Sequence, residues 1–172
     1  RSLFNSIRDP ILVADTDRNI IDCNPAFTEL FGYDLEEIKD KKTEYLYHEE
    51  EEYEEMGEKI EESIDDPNFF FTIHYEKKNG KVFPGETNTF YLKEEEGEVV
   101  GFIGLIRDVT EKLERQKELK RSEKRYRTLF ETTGTAMMIV EEEGSISLAN
   151  EELENLTGYS KEEIEGTSWA EF

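Results

Sequence analysis

Hydrophobic residues in the first part of the chain fall into short runs that are separated by polar turns. Ile11–Ala14 is such a run, and a second apolar run follows the next turn, so this segment predicts a β-hairpin. Asn24 then precedes Pro25, an arrangement typical of an N-cap followed by proline at the first helical position. Gly32 predicts that this helix ends after one or two turns.

A glutamate-rich segment over residues 49–64 has a helical pattern. Its apolar residues recur on one narrow stripe, which predicts a surface helix with a thin edge towards the core. They are Tyr53, Met56, Ile60 and Ile64. The acidic run has an alternative interpretation as a cation site, but it lacks the spacing of a calcium-binding loop. We therefore expect a solvated acidic face, and we expect Asp65–Asn68 to end the helix.

The middle of the chain predicts three long antiparallel strands in succession. Residues 69–78 alternate between apolar and polar, which predicts a strand with Phe71, Ile73 and Tyr75 on one face. His74 lies on the other face and is expected to point outward. Asn79-Gly80 predicts a two-residue hairpin turn into a second strand over residues 81–93. The third strand, over residues 99–106, has apolar residues at both odd and even positions. Both of its faces must therefore be covered.

The third strand runs directly into a long charged helix. No glycine or proline interrupts residues 105–130, and the later part of this stretch is rich in helix-favouring residues. Asp108 and Glu111 have the spacing of a capping box, while Thr110 is the alternative cap. Such a joint couples movement of the sheet to movement of the helix, although any strand-to-helix junction needs a cap for structural reasons alone.

The beginning of the chain is repeated near its end. A shift of 126 residues aligns residues 1–46 with residues 127–172 without a gap, and eleven of these 46 positions are identical. Asn24 and its counterpart are among the identities. The capping-box spacing that opens a short helix at Asp34 returns at Ser160 with a different capping residue, which favours a structural role for both.

The charge of the chain argues against two classes of binding partner, nucleic acids and membranes. The chain of 172 residues has 43 acidic and 21 basic residues and a formal net charge of -22, which repels phosphate backbones and anionic membrane surfaces. We therefore expect neither nucleic-acid binding nor direct membrane contact. No apolar run approaches membrane-spanning length and no signal-peptide pattern opens the chain, so we expect a cytoplasmic fragment whose parent can still be membrane-anchored.

Residue types that carry catalysis or bind metals are scarce. One cysteine and two histidines argue against an internal disulfide and against a metal site built from several His and Cys ligands. The sequence has no phosphate-binding loop and no Ser/His/Asp or Cys/His constellation. We expect this chain to have no enzymatic activity of its own.

The order of these elements resembles the PAS domain with its C-terminal PAC portion. Two strands, several short helices and three long strands end in an Asp-Val-Thr-Glu joint and a charged helix. The resemblance covers residues 1–111, and residues 127–172 resemble the front of a second PAS domain. It is carried by the motifs Asn24–Phe27, Phe31–Tyr33, Glu36–Ile38, Lys77–Phe83, Gly97–Gly101 and Arg107–Glu111.

The resemblance implies an α+β fold, in which a five-stranded antiparallel sheet flanked by short helices precedes a connecting helix and a partial second PAS unit. It divides the chain into a PAS domain (1–110), a signalling helix (111–126) and a truncated second domain (127–172). It also implies a role in sensing ligands, redox state or light, or in forming dimers. Asp108, Thr110 and Glu111 would then couple changes in the sheet to the output helix.

The resemblance also allows this sequence to be compared with family members that bind flavin or haem. Flavin photoreceptors of the light-oxygen-voltage group carry a reactive cysteine in a helical Asn-Cys-Arg-Phe-Leu-Gln motif, whereas Cys23 lies on the second predicted strand before Asn24. Haem-binding members use a histidine of the long helix, but residues 49–64 contain none and His48 lies just before them. The sequence therefore argues against flavin and haem and favours a small colourless ligand or none.

A ligand cavity is expected between the sheet and the short helices. Gly85, Thr87 and Thr89 share a strand face with little bulk and two hydroxyls, which leaves space and hydrogen-bonding capacity if that face points inward. The alternative is that neighbouring aromatic rings fill the space and that threonine simply suits a strand. The expected pocket residues are Cys23, Phe27, Met56, Ile60, Phe71, Ile73, Tyr75, Thr87 and Thr89.

Two functions are compatible with these patterns. The first is a sensory and dimerisation module of a signal-transduction protein, such as a sensor histidine kinase with several PAS domains, that passes a signal from the sheet to the helix after Thr110. The second is a ligand-free PAS spacer that pairs chains in a chemoreceptor or transcription regulator. Both predict a homodimer through the flanking helices and the outer sheet face.

Overall fold

The computed structural model describes residues 2–62, 70–95 and 97–170. The chain divides into two compact units, residues 1–113 (the first unit) and 114–172 (the second unit). The domain boundaries that the sequence suggests at residues 110 and 126 stay predictions.

The elements of the first unit follow the order expected from the sequence. Along the described chain they are α1 (Ser2–Ser6), β1 (Ile11–Ala14), β2 (Ile20–Cys23), α2 (Pro25–Phe31), α3 (Leu35–Ile38), a 3-10 turn (Thr43–Leu46), α4 (Glu50–Glu62), β3 (Phe70–Glu76), β4 (Val82–Lys93) and β5 (Val99–Asp108). Helix α5 (Thr110–Thr132) begins in this unit and continues into the second.

The five strands form one antiparallel sheet in the order β2-β1-β5-β4-β3. The last strand in sequence therefore lies at the centre, between the first hairpin and the long β3-β4 hairpin. This sheet and its flanking helices confirm the predicted α+β, PAS-like fold class.

Local sequence signals explain the short helices. Asn24 caps α2 by accepting a hydrogen bond from the Phe27 amide, and Gly32 ends the helix in a left-handed conformation with φ of 81°. Asp34 and Glu37 form the predicted capping box at the start of α3.

The β3-β4 turn is longer than the Asn79-Gly80 pair predicts. The Lys77 amide donates to the Lys81 carbonyl, and the Gly80 amide donates back to the Lys77 carbonyl. Three residues therefore form the loop, with Gly80 left-handed at φ of 80°. The Asn79 side chain accepts from the Lys81 amide and stabilises this wider turn.

Helix α4 buries the edge that its pattern predicts. Met56 and Ile60 are buried in the core, while the described acidic side chains of the helix face solvent or lie at its edge. The helix is described to Glu62. The predicted contribution of Ile64, the stop at Asp65–Asn68 and the predicted strand start at Phe69 lie outside the described residues.

The core of the first unit lies between the helices and one face of the sheet. Phe27 and Phe31 stack with ring centroids 4.3 Å apart, and the Phe31 ring meets Tyr75 and Phe83 edge-on at 5.6 and 5.4 Å. Ile73 is buried in the same cluster, whereas His74 on the opposite face is exposed as predicted.

The second unit repeats the front of the first. After α5 it contains β6 (Met138–Val140), β7 (Ile146–Ala149), α6 (Glu151–Thr157) and α7 (Lys161–Ile164). Strands β6 and β7 form an antiparallel hairpin, and Ser160 with Glu163 forms the predicted capping box before α7. These elements are consistent with a partial second PAS unit.

Candidate functional site

A small cavity, the inner cavity, lies between the helices and the inner face of the sheet in the first unit. Its volume is about 60 Å³. Strands β1, β3, β4 and β5 form its floor, while the 3-10 turn and α4 contribute its other walls. Most of its lining is aliphatic or aromatic, and the polar side chains that reach it are Arg18, Thr43, Tyr47, Tyr75, Thr87 and Thr89.

Most residues expected to form a pocket do line the inner cavity. They are Met56, Ile60, Phe71, Tyr75, Thr87 and Thr89. Their alternation along the strands and their spacing along α4 fix the face on which they lie, and that face is the inner one. Gly85, Thr87 and Thr89 accordingly all point inward and are buried.

Three expected pocket residues lie in the core but do not line the cavity. The Phe27 ring is stacked on Phe31, and Ile73 is buried in the same cluster. Cys23 is buried on β2, with its Sγ 4.0 Å from the Thr28 Oγ1. Burial raises the pKa of the Cys23 thiol, so it stays protonated and unreactive at neutral pH.

The floor of the inner cavity contains a buried hydroxyl pair. The Tyr75 and Thr87 side-chain oxygens are 2.8 Å apart and share a hydrogen bond. A Cβ atom at Gly85 would lie 2.5 Å from the Tyr75 ring, so glycine is needed there for the ring to lie against the sheet. Burial raises the pKa of Tyr75 well above its usual value, which keeps the phenol neutral.

Arg18 lines the cavity but was missed by the sequence patterns. Its Nη1 donates to the Tyr53 carbonyl at 2.8 Å, and its Nη2 donates to the Tyr47 hydroxyl at 3.2 Å. The guanidinium carbon lies 3.6 Å from the centroid of the Tyr53 ring, a close cation-π contact. Arg18 belongs to the turn between β1 and β2, where neither helical nor strand periodicity applies.

Flavin and haem do not fit the residues present. A volume of about 60 Å³ is far smaller than either ring system. His48 and His74 lie at the surface, with Nδ1 atoms 3.1 Å from Glu76 and 2.8 Å from Glu52. Among the residues that the structure describes, no group of three or more His, Cys, Asp or Glu side chains could hold a metal ion.

The second candidate feature is the strand-to-helix joint, Asp108–Thr110. The Asp108 Oδ1 accepts hydrogen bonds from the Thr110 amide at 3.0 Å and from the Thr110 hydroxyl at 2.6 Å. Lys77 from the β3-β4 turn lies 3.5 Å from the other carboxylate oxygen. The joint therefore ties the end of β5 both to α5 and to the neighbouring hairpin.

Neither predicted cap of α5 occupies the N-cap position. Val109 is buried, and its amide donates to the Pro84 carbonyl while its own carbonyl accepts from the Leu113 amide. The helix consequently begins at Thr110, and Asp108 stabilises it from one position earlier than a capping box requires. Glu111 lies exposed in the first turn, where its negative charge favours the helix N-terminus.

The Asp108 carboxylate is ionised at neutral pH. Partial burial by itself would raise the pKa of Asp108, but the hydrogen bonds from Thr110 and the charge of Lys77 outweigh it and hold that pKa below its usual value. The acceptor that the joint needs is thus present throughout the physiological pH range.

The inner cavity and the joint share one strand. Ile106 lines the cavity and pairs with Thr87, while Asp108, two residues later, pairs with Gly85. A displacement of β5 at the cavity floor therefore reaches the Asp108 hydrogen bonds within two residues of the same strand.

Within the described residues, no helix is both long and apolar enough to cross a membrane.

Comparison with known proteins identifies related domains in both parts of the chain. A family model described as a PAS domain matches residues 8–111, and a second, described as the PAS fold, matches residues 124–172. No curated protein matches the chain.

Several solved structures share the fold. A PAS domain from Colwellia psychrerythraea is 23% identical with a TM-score of 0.60, and the match covers 64% of this chain and 93% of that one. An RNA-binding light-oxygen-voltage receptor is 26% identical with a TM-score of 0.61, over 72% of this chain and 36% of that one. A PAS domain from a two-component sensor histidine kinase is 16% identical with a TM-score of 0.52, over 62% and 90% of the two chains.

Proposed function

Because this chain belongs to the PAS domain family, we propose that its first unit registers a small colourless molecule in the inner cavity and passes the change through the joint to α5. The observation that carries the proposal is the shared strand: β5 forms the cavity floor at Ile106 and holds the start of α5 at Asp108. The role is sensory rather than catalytic.

The joint is suited to transmit a small displacement. Asp108 holds the Thr110 amide and hydroxyl from a strand end, and Val109 hydrogen-bonds to Pro84 of β4. Movement of β5 against β4 would change these contacts together and alter the stability of the first turn of α5. A cap of this kind contributes about 1 kcal/mol, enough to shift a local equilibrium several-fold.

The setting we propose is a cytoplasmic signal-transduction protein, with a sensor histidine kinase as the favoured parent. The likeness to a PAS domain from a two-component sensor histidine kinase supports this setting through the fold. The long charged helix α5 would act as the output element.

Coupling between cavity and helix can be tested by filling the cavity. Thr89→Leu places extra apolar volume where a ligand would lie, and we expect it to change amide hydrogen exchange at residues 110–113 about threefold or more. In an Asp108→Ala background the same change should have no further effect, because the connection is already broken. Exchange measured by NMR on the full chain gives both values.

The matched control for this experiment is Asp22→Ala. Asp22 lies on β2 and accepts a hydrogen bond from the neighbouring Cys23 amide, away from the joint. If Thr89→Leu leaves residues 110–113 unchanged, the ligand-free spacer is the better function. If Thr89→Leu changes exchange at residues 110–113 equally in the Asp108→Ala and Asp22→Ala backgrounds, the signal does not pass through Asp108.

We also propose that the first unit pairs with a second copy through the outer face of the sheet. Phe90 is 41% exposed. Ile103, which pairs with Phe90, is half-buried on the same face. Apolar surface of this kind favours a protein partner, and the flanking helices can add to the contact.

Ile103→Glu should abolish this pairing, since it puts a charge at the centre of the apolar face. We expect light scattering to show a dimer for the unchanged chain and a monomer for the variant. Asp22→Glu, a charge-conserving change on β2, should stay dimeric. A monomeric unchanged chain at micromolar concentration would rule out this interface.

A further inference from the structure

Arg18 has a backbone conformation that its residue type disfavours. Its φ is +63°, in the left-handed region that L-residues with long side chains seldom adopt. The internal repeat aligns Arg18 with Gly144, which occupies the same turn of the second unit with φ of +89°. The turn therefore demands a left-handed residue, and glycine meets that demand without strain.

The strain at Arg18 points to a function of its side chain. Asp40 also has a positive φ and aligns with Gly166, but aspartate enters the left-handed region more readily than arginine. Strained conformations persist where the surroundings enforce them, and they cluster at ligand-binding sites. The first unit retains arginine at the one turn position whose side chain reaches the inner cavity.

The Arg18 guanidinium brings a positive charge to the wall of the inner cavity. Among the side chains that the structure describes, no carboxylate forms an ion pair with Arg18. Its hydrogen bonds go to two neutral oxygens, the Tyr53 carbonyl and the Tyr47 hydroxyl. The other N–H donors of the Arg18 guanidinium remain for a ligand.

Hydroxyl groups extend this set of donors. The Tyr47 oxygen accepts from Arg18, so its own proton is available for donation. The Tyr75 hydroxyl shares one hydrogen bond with Thr87 and interacts with the Tyr47 hydroxyl as well, so these three hydroxyls form one connected group. Apart from Thr43 and Thr89, the remaining walls are apolar and include Met56 and Ile60.

We propose that the inner cavity binds a short-chain carboxylate of the size of acetate or propionate. The carboxylate would accept from Arg18 and from the Tyr47 hydroxyl, and the hydrocarbon end would lie against Met56 and Ile60. A volume of 60 Å³ corresponds to about four water-sized positions, which suits such a molecule. This assignment rests on the proposed function, in which the inner cavity is the sensory site.

Isothermal titration of the full chain with sodium acetate and sodium propionate tests the assignment, with sodium chloride matching the ionic strength. Acetate is expected to bind with a Kd of about 40 µM or weaker, so the titration should extend to about 20 mM. Acetamide, a neutral analogue of similar shape, should bind at least about tenfold more weakly than acetate.

Arg18→Gly is the informative variant, because it copies the residue that the second unit has in the same turn. It should fold, since glycine relieves the backbone strain, and it should weaken acetate binding about tenfold or more. Arg107→Gly removes one positive charge from an exposed arginine that pairs with Asp9, and it should bind acetate as the unchanged chain does. Tyr47→Phe keeps the ring and should weaken acetate binding several-fold. This variant tests the assignment if Arg18→Gly does not fold.

Three results would overturn the assignment: no heat from acetate or propionate, equal binding by Arg18→Gly and the unchanged chain, or equal binding of acetamide and acetate.

The sensory role of the inner cavity is judged separately. If acetamide or ethanol binds and changes exchange at residues 110–113 while acetate does not, the sensory proposal stands and the anion is wrong. If neither small solutes nor Thr89→Leu affects those amides, both proposals fail.

Discussion

Replacing Asn24 with alanine is expected to lower the free energy of unfolding of the first unit by about 4 kcal/mol. The Asn24 side chain is fully buried and makes four hydrogen bonds. Its Oδ1 accepts from the amides of Ile11 and Phe27, at 2.8 and 3.0 Å. Its Nδ2 donates to the carbonyls of Ile7 and Asp9, at 3.2 and 3.0 Å.

The loss is large because alanine leaves both the cap of α2 and the start of β1 without a partner. Each unsatisfied buried group costs about 1–3 kcal/mol, while a domain of this size is stable by about 5–15 kcal/mol. The variant should therefore be largely unfolded in moderate urea. Amide exchange of β1 and β5 as a function of urea measures the first unit separately from the second.

Asn88→Ala is the matched control for Asn24→Ala. The Asn88 Oδ1 is buried without a hydrogen-bond partner among the described residues, so its removal leaves no group stranded. We expect a change within about 0.5 kcal/mol. Equal destabilisation by the two variants would show that Asn24 does not organise the front of the first unit.

Gly101→Ala should destabilise the first unit by about 3 kcal/mol, the next largest effect. A Cβ atom at Gly101 would lie 2.4 Å from the Ala14 carbonyl oxygen, which belongs to the paired strand β1. A backbone atom cannot rotate away as a side chain can. Strands β1 and β5 would have to separate, and the hydrogen bonds between them would lengthen.

Gly104→Ala provides the comparison, because it adds the same methyl group to the same strand. The nearest atom to its Cβ would be the Thr87 Cγ2 at 4.0 Å, an ordinary contact. We expect a change within about 1 kcal/mol, partly offset by the lower entropy of the unfolded alanine chain. Thermal unfolding followed by circular dichroism compares the pair. Similar midpoints for the two variants would contradict the predicted clash.

The sequence predicted those parts of the fold that depend on local chemistry. Asn24, Gly32 and the Asp34 capping box mark helix ends because each meets a local hydrogen-bonding or dihedral requirement. The β3-β4 turn was predicted with the wrong length, since a left-handed Gly80 is compatible with both a two-residue and a three-residue loop. Register between the strands decides which one forms.

The sequence likewise predicted only part of the candidate site. Thr87 and Met56 were found because strand and helix periodicity fixes which face a side chain occupies. Cys23 has the right face but the wrong depth, since periodicity carries no information on what lies between a residue and the cavity. Arg18 and Tyr47 lie in connections between periodic elements, and tertiary packing alone brings them to the cavity.

The hydrogen-bonding pattern of Asn24 occurs twice in this chain. Asn150 likewise accepts from two amides, those of Met137 and Leu153, and donates to two carbonyls, those of Phe130 and Thr135. Yet only eleven of the 46 aligned positions are identical. The architecture is thus encoded by a few fixed positions, and the others are free to drift. Duplicated fronts of this kind can diverge until each responds to its own signal while both keep one shared scaffold.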